Sequence, residues 1–173
     1  RQMGNGSWTY SHEEGSDTSI TQYAMLGLWA AKRTGAEIPI ATWDRVARFL
    51  VSSQMKDGGF AYQPGTPKGL DGGSSNPNMT AAGTGCLIIA RLHIYPDKPE
   101  FGSKGDGTSQ PKGPSKKFGV LESAAPPDAL PANPTEARKS INAIPMGNLD
   151  GAINRGLGWL AGRWTGASSN AFT

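Results

Sequence analysis

"RQMGNGSWTY" (residues 1–10) and "SQMKDGGFAY" (residues 53–62) carry the same punctuation: Gln-Met, two variable residues, Gly, a small residue, an aromatic, one more residue and Tyr. Gln2, Gly6, Trp8 and Tyr10 align with Gln54, Gly58, Phe60 and Tyr62. The pattern has the chemistry of a turn. Gly6 and Gly58 permit backbone angles that strain other residues. The Gln amide donates and accepts, so it can satisfy backbone groups left open at helix ends. An aromatic two residues past the Gly is placed to cover that amide and exclude water. Gln2, Trp8, Gln54 and Phe60 therefore read as structural staples rather than catalytic groups. Because Gln54 ends a helical segment, Gln2 is expected to close a hairpin whose preceding helix lies upstream of Arg1.

Between the two motifs the periodicity is helical. In "SHEEGSDTSITQYAMLGLWAAKRTG" (11–35), Ile20, Tyr23, Ala24, Gly27, Leu28 and Ala31 fall at steps of three and four, the spacing of an amphipathic helix. Asp17, Thr18 or Ser19 supplies its N-cap. Lys32 and Arg33 suit its last turn, and Gly35 stops it. Pro39 opens a second helix, "IATWDRVARFLVSSQ" (40–54), with Trp43, Val46, Ala47 and Leu50 on one stripe and Asp44, Arg45 and Arg48 off it. A Gly/Pro-rich connection then leads to a third, "NMTAAGTGCLIIARLHI" (78–94), capped by Asn76 or Asn78. Met79, Ala82, Gly83, Cys86 and Ala90 share its face. Gly83 and Gly85 each cost about 1 kcal/mol against Ala in a free helix, which close helix packing would offset. Gly27 in the first helix suggests the same. Ile20-Thr21 aligns with Met79-Thr80, so the repeat is a helical hairpin unit closed by a Gln–Gly–aromatic turn.

The character changes after residue 95. Nine of the thirteen prolines lie in 96–148, among Gly, Ser and mixed charges. This segment reads as an irregular surface insertion, partly disordered, in which "NPTEARKSINAI" could form a short helix. Helical pattern resumes over 149–173, where Ile153, Leu157 and Leu160 recur beside Trp159. The domain reading is thus 1–95 repeats, 96–148 insertion and 149–173 a further helix.

Composition narrows the function. The 24 Gly and 13 Pro in 173 residues are a loop-heavy content for one domain. A single cysteine, Cys86, excludes an intramolecular disulfide. No apolar run approaches the ~20 residues of a membrane span. The net charge of +3 is spread along the chain and mixed with acids; only Lys112, Lys116 and Lys117 cluster, so nucleic acid is not an expected partner. Nothing marks a compartment.

"QMGNGSW" and its degenerate copy "QMKDGGF", each followed by a small-residue-rich helix, resemble the Gln-x-x-x-Gly-x-Trp repeat of the squalene cyclase and protein prenyltransferase superfamily. The resemblance covers 1–95 well and 149–164 weakly. It implies an all-α fold: a partial α/α toroid of helical hairpin repeats, in which inner and outer helices alternate around a cavity. The long irregular insertion lies outside it. Four long helices do not close such a toroid, so the expected partner is the remaining part of the same protein or further subunits. The family also implies a hydrophobic isoprenoid ligand.

The family's chemistry is not written in this segment. There is no Asp-x-Asp-Asp for protonating an alkene or epoxide and no Asp-Asp-x-x-Asp for magnesium diphosphate. His12, Glu13, Glu14 and Asp17 precede a helix, where the dipole favours acids. Thr84 stands where a prenyltransferase zinc ligand would precede Cys86, and Cys86 with His93 alone does not make a zinc site. No cofactor, metal or catalytic residue is therefore assigned. The cavity-lining candidates are Asp17, Ser19, Gln22, Thr80 and Thr84, polar residues near the starts of inner-type helices. Thr21 and Thr80 are equally suited to bonding backbone as first-turn hydroxyls. Two functions follow as expectations: an isoprenoid cyclase or prenyltransferase-like protein whose catalytic site lies outside the segment, or a non-catalytic toroid binding or scaffold protein.

Overall fold

The structure is a computed structural model that describes residues 1–10, 15–67, 69–70, 72–98 and 134–168. It is all-α: α1 (Thr18–Arg33), α2 (Ile40–Ser53), α3 (Pro77–Ile94), α4 (Pro134–Ser140) and α5 (Met146–Ser168). Isolated bridges pair Trp8 with Asp17 and Ala61 with Ser75. Each bridge sits where a turn meets the start of a helix. None of these helices is long and apolar enough to cross a membrane.

The two motifs fold as the same turn, bond for bond. The Gly6 amide donates to Met3 O and the Met3 amide to Ser7 O; Gly58 donates to Met55 O and Met55 to Gly59 O. Gly6 and Gly58 have φ of +97° and +89°, where a side chain is strained. Each also presses on a helix, Gly6 on α2 and Gly58 on α5. A Cβ on Gly6 would collide with the Arg45 carbonyl, and one on Gly58 would lie 2.8 Å from the Arg155 carbonyl. The aromatic that follows donates its amide to a first-turn threonine: Trp8 to Thr21 Oγ1 at 3.1 Å, Phe60 to Thr80 Oγ1 at 3.0 Å. Asp17 caps α1 through Ile20 N, and Asn76 caps α3 through Met79 N. Turn, bridge, cap and threonine recur together at the starts of α1 and α3. Grouped by these starts, the first unit is turn, α1 and α2 and the second turn, α3 and α5, although α3 packs on α5 far more extensively than α1 on α2.

Helix α3 is the centre. It packs against α1, α2 and α5, and α2 also touches α5. The core runs through Met25, Trp43, Val46, Leu50, Phe60, Cys86, Leu87, Ile94, Leu149 and Ile153. The closest approach joins α3 and α5, where Gly156 leaves no room for a Cβ against Thr84. The equivalent positions in the first unit hold Met25 and Val46, both fully buried. Arg91, on α3, is buried and ion-paired with Asp150 on α5.

Several expectations change. On α1 the buried residues are Thr18, Thr21 and Met25, while Tyr23 and Gly27 of the expected stripe face outward. The reason is hydrogen bonding: Thr18 donates to Ala61 O and Thr21 meets Trp8, so the turns select the face that docks. Gly27 and Gly85 have open space around them; close packing in α3 belongs to Gly83, where a Cβ would lie 2.7 Å from the Phe60 ring. Asp44 is buried rather than solvent-facing, since its carboxylate accepts from Ile144 N and Arg48. Leu157 is exposed, and α5 instead buries Leu149, Ala152, Ile153 and Trp159. α5 also begins at Met146, not 149.

The expected short helix is α4, and Asn76 is the α3 cap. The two ends of the long connection are tied together. Tyr95 Oη donates to Ile144 O at 2.7 Å, and Arg138 donates to Ile94 O at 3.1 Å and to the Asp97 carboxylate. The rest of the insertion, 99–133, lies outside the described residues, as do His12, Glu13 and Glu14.

Two neighbouring glycines of α3 therefore respond oppositely to alanine. Gly83→Ala drives a methyl into Phe60 and is expected to cost roughly 1–3 kcal/mol. Gly85→Ala meets nothing and is expected to gain up to about 1 kcal/mol of helix propensity. Urea unfolding monitored by circular dichroism reads both.

Candidate functional site

The polar chemistry of the described residues concentrates on the two glutamines. Gln2 Nε2 donates to Gly6 O at 3.0 Å and to Thr42 O at 3.2 Å on α2. Its Oε1 accepts from Arg45 Nε and Nη2 at 3.0 and 2.9 Å. Gln54 repeats this on α5: Nε2 donates to Gly58 O and Ala152 O, both at 2.9 Å, and Oε1 accepts from Arg155 Nε at 3.0 Å. Each amide thus links its own turn to a helix, α2 or α5, and uses both of its ends. The side chains act as clamps, as their residue type suggested.

The arginine half of the clamp was missed from the sequence. The signal is there: "DRVARFL" at 44–50 lies over "NRGLGWL" at 154–160, with Arg, aromatic and Leu in register. The aromatic expected to cover the glutamine has a different contact. The Phe60 ring lies against Gly83 of α3.

The five cavity-lining candidates do not converge. Asp17 is only 1 % exposed; Oδ1 accepts from Ile20 N at 2.7 Å, and Oδ2 is buried without a partner. Thr80 is fully buried with its hydroxyl on Phe60 N. Thr84 is buried against Gly156, its hydroxyl unpartnered. Ser19 and Gln22 are half-buried on the first turns of α1. Gln22 does share a face with Leu26, Trp29 and Arg33. The equivalent line on α3, 59 residues on, is Ala81, Gly85, Ile88 and Leu92, the least buried side of that helix. The two lines lie on helices that pack directly and are mainly apolar, with Gln22 at one end and the Arg33 guanidinium over the Trp29 ring at 5.3 Å. Leu26, Trp29 and Leu92 are 38 %, 37 % and 41 % exposed.

An open cleft of about 590 Å³ lies elsewhere, lined by Tyr62, Gln63, Leu70, Ser74 and Asn76. None of the five candidates lines it. The Tyr10 hydroxyl beside Tyr62, with burial and the Asp17 carboxylate, pushes the Tyr62 phenol up to about 12. Asp57 sits below the usual carboxylate range. Burial opposes this, but hydrogen bonds from Trp159 Nε1 at 3.0 Å, the Gly59 amide and the Ser75 hydroxyl outweigh it. Burial pushes the Cys86 thiol up to about 12, which keeps it a small hydrophobe rather than a thiolate ligand. Among the described residues no group of three or more His, Cys, Asp or Glu side chains could hold a metal ion. The chain matches no protein-family model, no curated protein and no solved structure.

His93 stacks on Trp43 with ring centroids 4.2 Å apart and carries a buried, unpartnered Nε2. Burial, and secondarily the Lys32 charge, hold its pKa below 6.5. A depressed folded pKa means stability that is present above the unfolded value and lost as pH falls through the folded one. Stability is therefore expected to drop as pH is lowered from about 6.5, with His93→Phe flattening that slope in urea titrations. For the clamp, Gln54→Glu keeps an acceptor for Arg155 but sets a carboxylate against two carbonyls. It is expected to cost about as much as Gln54→Ala, roughly 1–3 kcal/mol.

Proposed function

We propose that the chain is a wall segment of an α/α toroid of the terpenoid cyclase and prenyltransferase kind, with α1 and α3 as inner helices facing an isoprenoid ligand. The observation that supports this most directly is the set of exposed apolar residues Leu26 and Trp29 of α1 and Leu92 of α3, with the half-buried Ile88 at the place that matches Trp29. It offers a hydrocarbon chain contact area with few polar groups, as apolar ligands need. The Gln–Gly–aromatic clamps are its scaffold. Any acid, metal or diphosphate-binding group comes from outside the segment.

A second reading, a non-catalytic toroid binding or scaffold protein, has its own support. All five described aspartates are engaged in the fold: Asp17 as a cap, Asp44 on Ile144 and Arg48, Asp57 on Trp159, Asp97 on Arg138 and Asp150 on Arg91.

The test is to incubate the full-length protein with squalene and with farnesyl and geranylgeranyl diphosphates. Products are followed by mass spectrometry and binding by NMR shifts at Leu26, Trp29, Ile88 and Leu92. Binding that Leu26→Asp with Ile88→Asp weakens at least about tenfold, or 1.4 kcal/mol, supports the wall. Turnover selects the enzyme, binding without turnover favours the non-catalytic binding protein, and no binding to any of the three refutes the isoprenoid-facing wall.

A further inference from the structure

The connection from the second turn into α3 is longer than its counterpart in front of α1. Gln2 and Gln54 are 52 residues apart but Ile20 and Met79 are 59 apart, so seven residues are added between turn and helix. They are folded into turns of their own. Gln63 N donates to Gly72 O at 2.9 Å, Leu70 N to Pro67 O at 3.2 Å and Gly73 N to Leu70 O at 3.0 Å. The chain doubles back so closely that a Cβ on Gly73 would collide with the Pro67 carbonyl. What this fold-back encloses is the open cleft of about 590 Å³, within the range of about 300–1,000 Å³ that small-molecule sites occupy.

None of the described residues lining the cleft carries a charge. Asn76 spends Oδ1 on the α3 cap, which leaves its Nδ2 to donate. The Gln63 amide lies along Gly72, where a Cβ would stand 3.4 Å from Oε1. Ser74 adds an exposed hydroxyl, while the Ser75 hydroxyl is turned away to Asp57 and Met55. The half-buried Tyr62 and the 61 % exposed Leu70 supply the apolar surface. Behind Tyr62 stand the Tyr10 hydroxyl and the carboxylate of Asp17, which is 1 % exposed and has an oxygen that the α1 cap leaves over. A phenol whose proton is drawn to that side keeps its oxygen as an acceptor for a donor in the cleft.

We infer that this cleft binds a neutral polyhydroxyl ligand, a mono- or disaccharide, through Asn76 Nδ2, the Gln63 amide and the Tyr62 oxygen, with Leu70 against its C–H face. A sugar hydroxyl donates and accepts at one atom, so it needs amides and hydroxyls side by side. An ion would find no counter-charge on these side chains. A peptide shares the amide chemistry but needs an extended edge or groove rather than a compact cleft. Asp17 is a positioning residue, acting through Tyr62. No residue of the Leu26–Leu92 surface lines the cleft, so the inference goes beyond the isoprenoid reading and stands or falls separately.

The test is amide NMR of the full chain titrated with maltose, cellobiose and chitobiose, their methyl glycosides, glucose 6-phosphate and a neutral Gly-Ser peptide. At least one neutral sugar is expected to shift Gln63, Leu70, Ser74 and Asn76, and the phosphate and the peptide are not. Binding of sugar and methyl glycoside alike supports the site as a reader of glycan chain ends; binding of the free sugar alone supports it as a small-molecule site. Asn76→Asp keeps the cap, as Asp17 does at α1, but removes the donor. Tyr62→Phe keeps the ring and removes the oxygen. Each is expected to weaken binding about tenfold at unchanged helicity, roughly the loss of one hydrogen bond. Asp17→Asn keeps its cap, as Asn76 does at α3, and is expected to weaken binding and to bring the Tyr62 titration down from about 12, which a loss of stability alone does not do. Should Asn76→Asp disturb the helix, Gln63→Ala in the connection makes the same comparison. No shift with any sugar at about 10 mM, enough to load most of a millimolar site, overturns the proposal. So does sugar binding that Asn76→Asp and Tyr62→Phe both leave unchanged, or binding of the phosphate or the peptide in place of the sugars.

Discussion

A single primary amide, used twice, holds each turn to a helix, α2 in one case and α5 in the other. Gln2 and Gln54 each offer two donors and one acceptor oxygen, and all are taken: own-turn carbonyl, helix carbonyl, helix arginine. The reach is long in sequence, 40 residues to Thr42 and 98 to Ala152. No other side chain of similar length supplies that set, because a carboxylate lacks donors and an amine lacks an acceptor. The glycine four residues on follows from the same geometry. For the amide to bridge both carbonyls, the turn must approach the arginine backbone more closely than a Cβ allows. Gln, Gly and Arg are therefore one requirement expressed at three positions.

Around this fixed network the packing varies. Gly156 against Thr84 draws α5 onto α3, whereas the corresponding Val46 and Met25 fill the first unit with larger side chains. Phe60 is fully buried beneath Gly83, while its counterpart Trp8 is only half-buried, with Ala24 opposite Gly83 in the alignment. Hydrogen bonds depend steeply on distance and angle, so the backbone they specify is repeated closely. Apolar contacts depend on total volume, so residues on either side of an interface can trade size. The units agree in their polar atoms and differ in their apolar ones.

That division explains what could be read from the chain beforehand. The turns, the helices, the Asn76 cap, the α2 stripe and the short helix within the Pro-rich stretch were all legible, because each rests on local residue chemistry. The α1 face was not. Periodicity counts Tyr23 and Gly27 as apolar and Thr18 and Thr21 as polar, but the threonine hydroxyls are consumed by turn backbone and the tyrosine is left outside. Asp44 misled for the same reason. Its burial depends on Ile144, a hundred residues away across the insertion, and nothing near Asp44 announces that partner. Of the polar residues chosen as cavity candidates, Asp17 serves as a cap and Thr80 as a turn partner, since position near a helix start selects such roles as readily as ligand contacts.

Comparison of the units also separates what the architecture needs from what one position adds. Asn76 and Asp17 cap their helices alike, through one side-chain oxygen on the amide three residues ahead, at 2.9 and 2.7 Å. The cap therefore requires an acceptor and not a charge. At Asp17 the second oxygen is buried and meets no donor in regular hydrogen-bond geometry, but the carboxylate interacts with the Tyr62 phenol, whose motif equivalent Tyr10 stands next to it. A buried carboxylate oxygen needs such a polar neighbour, and an amide already serves at the second cap. The carboxylate at Asp17 is thus a departure that capping does not explain, and it lies at the one helix start where both repeat tyrosines meet.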